Sequence, residues 1–241
     1  PQRGDWQALY FNDGSDASVL EYVEVRYAGN AASPGDGNWW RPSIQLTSSD
    51  ATLTDVQVRD ADSTGIRILS GAPHLTNVQV VRARHDAFYG TLAADVTAVN
   101  LSAVDTGGDR YALDGGTLPG DRTWAMGGLP IELYGDVTVP AGRTLTIVPS
   151  QVVKLSQGEQ FNVSGTLMAV GTAAQPIIFT SWRDDTGGGD SNNNGAADGP
   201  IEGDWEAIYL NAGSDASRLE YVELRYAGNA STPHDGNWYT Y

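Results

Sequence analysis

One pattern of apolar positions, L-x-x-V-x-V-x-x-A, recurs along the chain. It falls at Leu20, Val23, Val25 and Ala28, at Leu53, Val56, Val58 and Ala61, and at Leu75, Val78, Val80 and Ala83. A fourth occurrence reads Val96, Val99, Leu101 and Val104, and a fifth Leu219, Val222, Leu224 and Ala227. Alternation at V-x-V predicts a strand, and the x-x intervals on either side predict bends. The three middle occurrences start 22 and 21 residues apart; the first gap is 33, lengthened by an insertion around Gly35-Asp36-Gly37-Asn38-Trp39-Trp40. Short β-branched segments at this period, with no helical run between them, predict the coils of a β-solenoid. One coil cannot bury its own apolar side, so coils stack, equivalent Val and Leu side chains form ladders, and each strand pairs in parallel with the next. The residue after the first Val predicts a polar ladder of Glu24, Gln57, Gln79, Asn100 and Glu223. Asp62, Arg84 and Asp105 are expected to stack with alternating charge on adjacent coils.

A longer period contains the short one. Residues 4–39 and 203–238 align without a gap at an offset of 199, with 27 of 36 positions identical. GDWQALYFNDGSDASVLEYVEVRYAGN returns as GDWEAIYLNAGSDASRLEYVELRYAGN. Pro1 matches Pro200, and the chain stops at Tyr241, soon after the second motif. The expectation is an open-ended fragment of a tandem array: one period plus an overlap. Residues 1–116 then form coils of the C-terminal part of one repeat, 117–130 a connecting loop, and 131–241 coils of the N-terminal part of the next.

The second half carries a resemblance. Residues 135–149, GDVTVPAGRTLTIVP, are followed by VSGTLMAVGTAAQPIIFTS at 163–181, DDTGGGDSNNNGAADGP at 184–200 and GDWEAIYL at 203–210. This run resembles the right-handed parallel β-helix repeats of secreted and surface-attached bacterial proteins. It covers residues 131–228 directly and 4–29 through the duplication; residues 43–116 resemble generic β-helix coils only. Ser150-Gln151 departs from the resemblance, which has Gly after the Pro of that turn. The fold class implied is all-β, a right-handed parallel β-helix. The resemblance says little about function, because this fold carries adhesins, stalks and polysaccharide-degrading enzymes alike.

Charge and composition narrow the classes. With 30 Asp+Glu against 14 Lys+Arg the net charge is −16, which argues against nucleic acid as a partner. The chain has no Cys, so no disulfide staples it. No apolar run is long enough to span a membrane. Lys154 is the single lysine, read as a compositional bias.

The strongest local motif lies in the segment 184–199. Asp190, Asn192, Asn194 and Asp198 stand at positions 1, 3, 5 and 9 of a loop with Gly195 at 6, the D-x-[DN]-x-[DN]-G spacing of calcium loops. The carbonyl of Ala196 supplies position 7. Position 12 is Ile201 where helical calcium loops have Glu, so Glu202, Asp184 or Asp185 is expected to complete a structural Ca²⁺ site. The alternative is an ion-free polar loop. Arg82, Arg84, His85 and Asp86, near Asp60, Asp62, Asp105 and Asp109, have the residue types of a lyase or hydrolase, but also those of an ordinary solvated solenoid edge. Trp39, Trp40, Trp238 and Tyr239 sit in equivalent insertion loops, where they either stack on sugars, or fold back onto the coils or pack against a neighbour.

The functional expectation is a non-enzymatic structural or adhesive segment of a repetitive extracellular protein on a bacterial cell surface, stabilised by calcium. Its expected partners are neighbouring repeats, with filament formation and surface glycans as further options, and no nucleic acid or membrane insertion. The rival readings are a polysaccharide lyase or glycosidase and a carbohydrate-binding module.

Overall fold

A computed structural model describes residues 1–30, 41–195 and 197–229. Among them every regular element is a strand, and the strands pair in parallel. The fold is an all-β parallel β-solenoid, as the spacing predicts. The chain divides into two compact units, residues 1–112 with 125–129, and residues 113–124 with 130–241.

The first unit contains β1 (Leu9–Phe11), β2 (Val19–Glu21), β3 (Glu24–Arg26), β4 (Ile44–Leu46), β5 (Thr52–Thr54) and β6 (Gln57–Arg59). It continues with β7 (Ile66–Ile68), β8 (His74–Val81), β9 (Asp86–Gly90), β10 (Thr97–Val104) and the first part of β11 (Gly108–Thr117). One sheet runs β1-β4-β7-β9-β11; the other joins β2-β5-β8 and β3-β6-β8, with β10 on the far side of β8. The register converts sequence spacing into apolar ladders. Leu20 faces Leu53 and then Leu75, while Val25 faces Val58 and then Val80. Leu53, Leu75, Val58 and Val80 are fully buried. Each such side chain removed from water is worth about 1.5–3 kcal/mol. On the other sheet Leu9, Ile44, Ile66 and Phe88 form a further ladder. The next ladder, Phe11-Leu46-Ile68, ends on Gly90, where a Cβ would lie 2.3 Å from the hydroxyl of buried Tyr111.

The predicted bends have one conformation. The second x of each x-x pair is left-handed: Tyr22, Asp55, Asn77 and Asn100 at the first corner, and Tyr27, Asp60, Arg82 and Asp105 at the second, with φ between 52 and 60°. Asn and Asp tolerate this region best, because a short polar side chain can bond locally. Here the corners bond along the stack instead. Asn77 donates to Asp55 at 2.9 Å, Asn100 donates to Asn77 at 2.9 Å, and Arg82 grips Asp60 at 2.7 and 2.9 Å.

This geometry corrects the expected register of the fourth coil. Leu101 faces Val78 and Ala103 faces Val80, so the inward set is Ala98, Leu101 and Ala103. Val99 and Val104 point outward, 54% and 42% exposed. The expected register would put Ala98 and Ala103 in left-handed corners; the observed one puts Asn100 and Asp105 there. Asn100 therefore leaves the predicted polar ladder, whose place after Gln79 goes to Ser102. Asp62 and Arg84 do pair, at 2.8 Å, but Asp105 falls in the column of Asp60 and Arg82.

The second unit holds the rest of β11 and β12 (Arg122–Trp124), β13 (Ile131–Val139), β14 (Thr144–Ile147), β15 (Val152–Leu155) and β16 (Phe161–Val163). It ends with β17 (Thr166–Val170), β18 (Ile177–Ser181), β19 (Ile208–Leu210), β20 (Arg218–Glu220) and β21 (Val222–Leu224). Its sheets run β13-β15-β18-β21, β13-β16-β19 and β12-β14-β17-β20. Ile131, Val153 and Phe179 form one buried ladder, and Val137 and Phe161 lead to half-buried Ile208 in another. Trp124, Phe161 and Phe179 meet edge to face at 5.8 and 5.6 Å.

Candidate functional site

Strand alternation sends Glu132, Lys154 and Thr180 to the outward face of the second unit's sheet, in register with one another. Outward positions are ordinarily solvated, yet Lys154 and Thr180 are fully buried and Glu132 nearly so. The segment between β18 and β19 folds back over them. Gly188, at φ +74°, lies against Pro130 and Val152, where a Cβ would come within 3.0 Å of the proline ring. Lys154 Nζ donates to the Gly189 carbonyl at 2.7 Å. Burial lowers the Lys154 ammonium pKa, opposed by Glu132, Asp185, Asp184 and Asp190 around it. The single lysine is thus the cation on which an acidic loop closes.

Buried carboxylates anchor both ends of that loop. Asp184 accepts from Thr180 Oγ1 at 2.6 Å, and from the Thr186 hydroxyl and backbone N–H at 2.6 and 3.0 Å. Burial pushes its carboxyl up, but these donors and the Arg225 guanidinium at 3.4 Å outweigh it and hold the group below its ordinary range. Asp204 accepts from Ser181 Oγ at 2.7 Å, the Ile201 N–H at 3.0 Å and Arg183 at 3.2 Å. A carboxylate so placed needs this full complement, because an unpaired buried charge is strongly unfavourable.

Between the anchors, the predicted calcium positions form a turn closed by its own donors. Asp190 accepts from the Asn194 and Gly195 N–H groups at 3.2 and 2.8 Å, and Asn192 Oδ1 from the Asn194 N–H at 3.3 Å. The Asn194 amide donates to Asp198, which also meets Arg183 at 3.3 Å. Asp185 Oδ1 and Asn194 Oδ1 are buried oxygens that receive no hydrogen bond among the described residues. Burial raises the Asp185 pKa, and Asp190, Asp184 and Asp198 raise it further against Lys154. Asp184 is committed to its own donors, Glu202 is exposed, and Ala196 lies outside the described residues. Among the described residues no group of three or more His, Cys, Asp and Glu is placed to hold a metal ion.

The other candidates resolve into pairs. Arg82 binds Asp60, Arg84 binds Asp62, and Arg110 reaches Asp86 at 2.8 Å. The Arg82 hydrogen bond, against a smaller effect of burial, holds the Asp60 carboxyl below its ordinary range. Burial raises the Asp86 carboxyl against its arginine. These pairs run along the stack, each linking successive coils. A shallow open groove of about 340 Å³ runs beside Asp55, Asn77, Asn100, Gln57 and Gln79, whose side chains bond one another. Trp39, Trp40, Trp238 and Tyr239 lie outside the described residues.

Sequence reasoning missed Lys154, Glu132, Thr180, Asp204 and Arg183. Their signal is phase: Glu132 and Lys154 each precede the Leu that faces its counterpart across β13 and β15. No protein family, curated protein or solved structure matches the chain.

Proposed function

We propose that the chain is a non-enzymatic structural or adhesive segment of a repetitive extracellular protein or fibre on a bacterial surface. The observation that carries this reading is that the arginines beside the candidate acids are held in ion pairs. Arg–Asp pairs climb the coils of the first unit, and in the second Arg183 meets Asp204 and Arg225 meets Asp184. A lyase or glycosidase needs acid and base groups converging on an open cleft with carboxylates held apart at fixed spacing. Stacked parallel coils with a duplicated coil set suit a load-bearing or spacing element, and a net charge of −16 favours solubility and divalent-cation bridging.

Calcium belongs to this proposal as a structural ion of the 184–199 loop. The spacing of Asp190, Asn192, Asn194 and Asp198 supports it, as do the donor-free oxygens of Asp185 and Asn194. With Asp184 withdrawn and few free carboxylates remaining, the expected affinity is modest. Calorimetric melting in calcium and in EDTA tests this part: a higher melting temperature in calcium supports it, and identical melts remove the ion. Incubation of the pure protein with uronate and neutral polysaccharides tests the rest. The reading expects no new reducing ends or unsaturated uronates, and depolymerisation overturns it.

A further inference from the structure

Arg82, Arg84 and Arg110 of the first unit each grip an aspartate at 2.7–2.8 Å. Arg67 does not. In a chain with 30 Asp+Glu it makes no ion pair or hydrogen bond among the described residues. Its guanidinium lies over the Tyr89 ring, 5.1 Å from the centroid. Its Nε is buried without an acceptor, which leaves the two Nη nitrogens as the donors an incoming group can reach. Register places the neighbours. Tyr10, Gln45 and Arg67 face outward on β1, β4 and β7, one per coil and about 4.8 Å apart. Gln45 Nε2 donates to Thr47 Oγ1 at 3.3 Å, so its amide keeps one N–H and its carbonyl oxygen open.

We infer that this outward column is a binding site for an acidic glycan, with Arg67 taking the carboxylate of one sugar, Gln45 pairing with its hydroxyls and the Tyr10 ring lying beside the next sugar. The inference rests on the reading of the chain as an adhesive segment and names the class of its ligand. A guanidinium offers parallel N–H donors that match a carboxylate, and such charge-assisted bonds are about twice as strong as neutral ones. A carboxamide with a donor and an acceptor both open matches neighbouring hydroxyl groups, each of which donates and accepts. Tyrosine adds an apolar face with a polar tip, which suits a sugar ring. An acidic peptide brings the carboxylate without the row of hydroxyls that Gln45 is placed to pair.

Charge sets the kind of acidic glycan. The chain as a whole carries −16, which repels a densely charged polyanion. One unpaired guanidinium selects a single carboxylate on an otherwise neutral chain. Tyr89 already restrains that guanidinium, so binding costs little side-chain freedom at Arg67. A uronate and a sialic acid present the same carboxylate, and separate probes distinguish them.

NMR titration of the full chain with oligogalacturonate, its methyl ester, sialyllactose and lactose tests the site. At least one carboxylated probe should bind about tenfold or more tightly than its neutral counterpart, and the preference should shrink at high salt. Arg67→Met should remove the preference while the circular-dichroism spectrum and the binding of neutral probes stay unchanged. Arg67→Lys should restore only part of it, because a point charge cannot make the paired contact. Gln45→Ala should weaken acidic and neutral probes alike. Where Arg67→Met fails to give the native spectrum, Arg67→Gln takes its place. Equal binding of acidic and neutral probes, no binding of any probe, or a preference that survives the loss of Arg67 overturns the site. An aspartate-rich peptide that binds as tightly as the sugars overturns the glycan as occupant. Cleavage of a probe overturns the non-enzymatic reading instead, and leaves the comparison with Arg67→Met to decide the site.

Discussion

The outward columns of the two units differ in what covers them. In the first unit Gln45, Arg67 and Tyr89 face outward in register on β4, β7 and β9, and all three are only partly buried. Arg67 rests over the Tyr89 ring at 5.1 Å. In the second unit Glu132, Lys154 and Thr180 occupy the corresponding face of β13, β15 and β18, buried beneath the loop that follows β18. A solvated column tolerates nearly any polar residue, because water completes each hydrogen bond. A covered one must pair every charge internally, since the burial penalty applies to both partners. The same strand geometry therefore gives a permissive surface in one unit and a demanding polar core in the other.

Substitutions break this contrast in order of size. Lys154→Met removes a buried cation that Glu132, Asp185, Asp184 and Asp190 surround. It should cost about 3–5 kcal/mol in urea or thermal unfolding. Asp184→Asn removes the charge that Thr180, Thr186 and Arg225 hold, at about 1–3 kcal/mol. Because the folded Asp184 titrates below its ordinary value of 3.8, its contribution is present above that pH and lost as pH falls below it. The deficit of Asp184→Asn should therefore shrink in acid.

Glu159 sharpens the contrast from the other side. Burial pushes its carboxyl up to about 7, helped by Asp136 and Glu132 and opposed by the Ser156 and Gly135 N–H groups. A raised folded value means stability that is full below about 4.5 and lost as pH rises through about 7. Glu159→Gln should therefore leave stability unchanged in acid and raise it at pH 8, by about 1 kcal/mol after solvent screening, read from thermal melts at the two pH values. Arg67→Met, on the uncovered column, should cost only about 0.5 kcal/mol. Equal losses from Arg67→Met and Lys154→Met would erase the distinction between the columns.

Much of the fold is legible in sequence because the period is short and the inward residues are β-branched. Leu53, Val58, Leu75 and Val80 identify one another across coils, and the structure stacks them. The fourth coil was harder because two apolar frames two residues apart both fit. Only the corner residues separate them, since Asn100 and Asp105 suit a left-handed φ where Ala98 and Ala103 do not. The loop was legible as a polar segment with calcium spacing, but not its place. Fold-back over the sheet depends on Gly188 meeting Pro130 and on Lys154 reaching Gly189, contacts between residues that share no periodic pattern. A single lysine in a lysine-poor chain reads as composition until its strand phase is joined to a covering loop.

Because Lys154 is the chain's one lysine, amine chemistry reports on that loop without background from other side chains. Acetylation under native conditions, followed by peptide mass mapping, should leave Lys154 unmodified, with full modification after unfolding in urea. Rapid acetylation of Lys154 in the native protein would contradict the account, because a solvated ammonium cannot be the buried cation on which the loop closes.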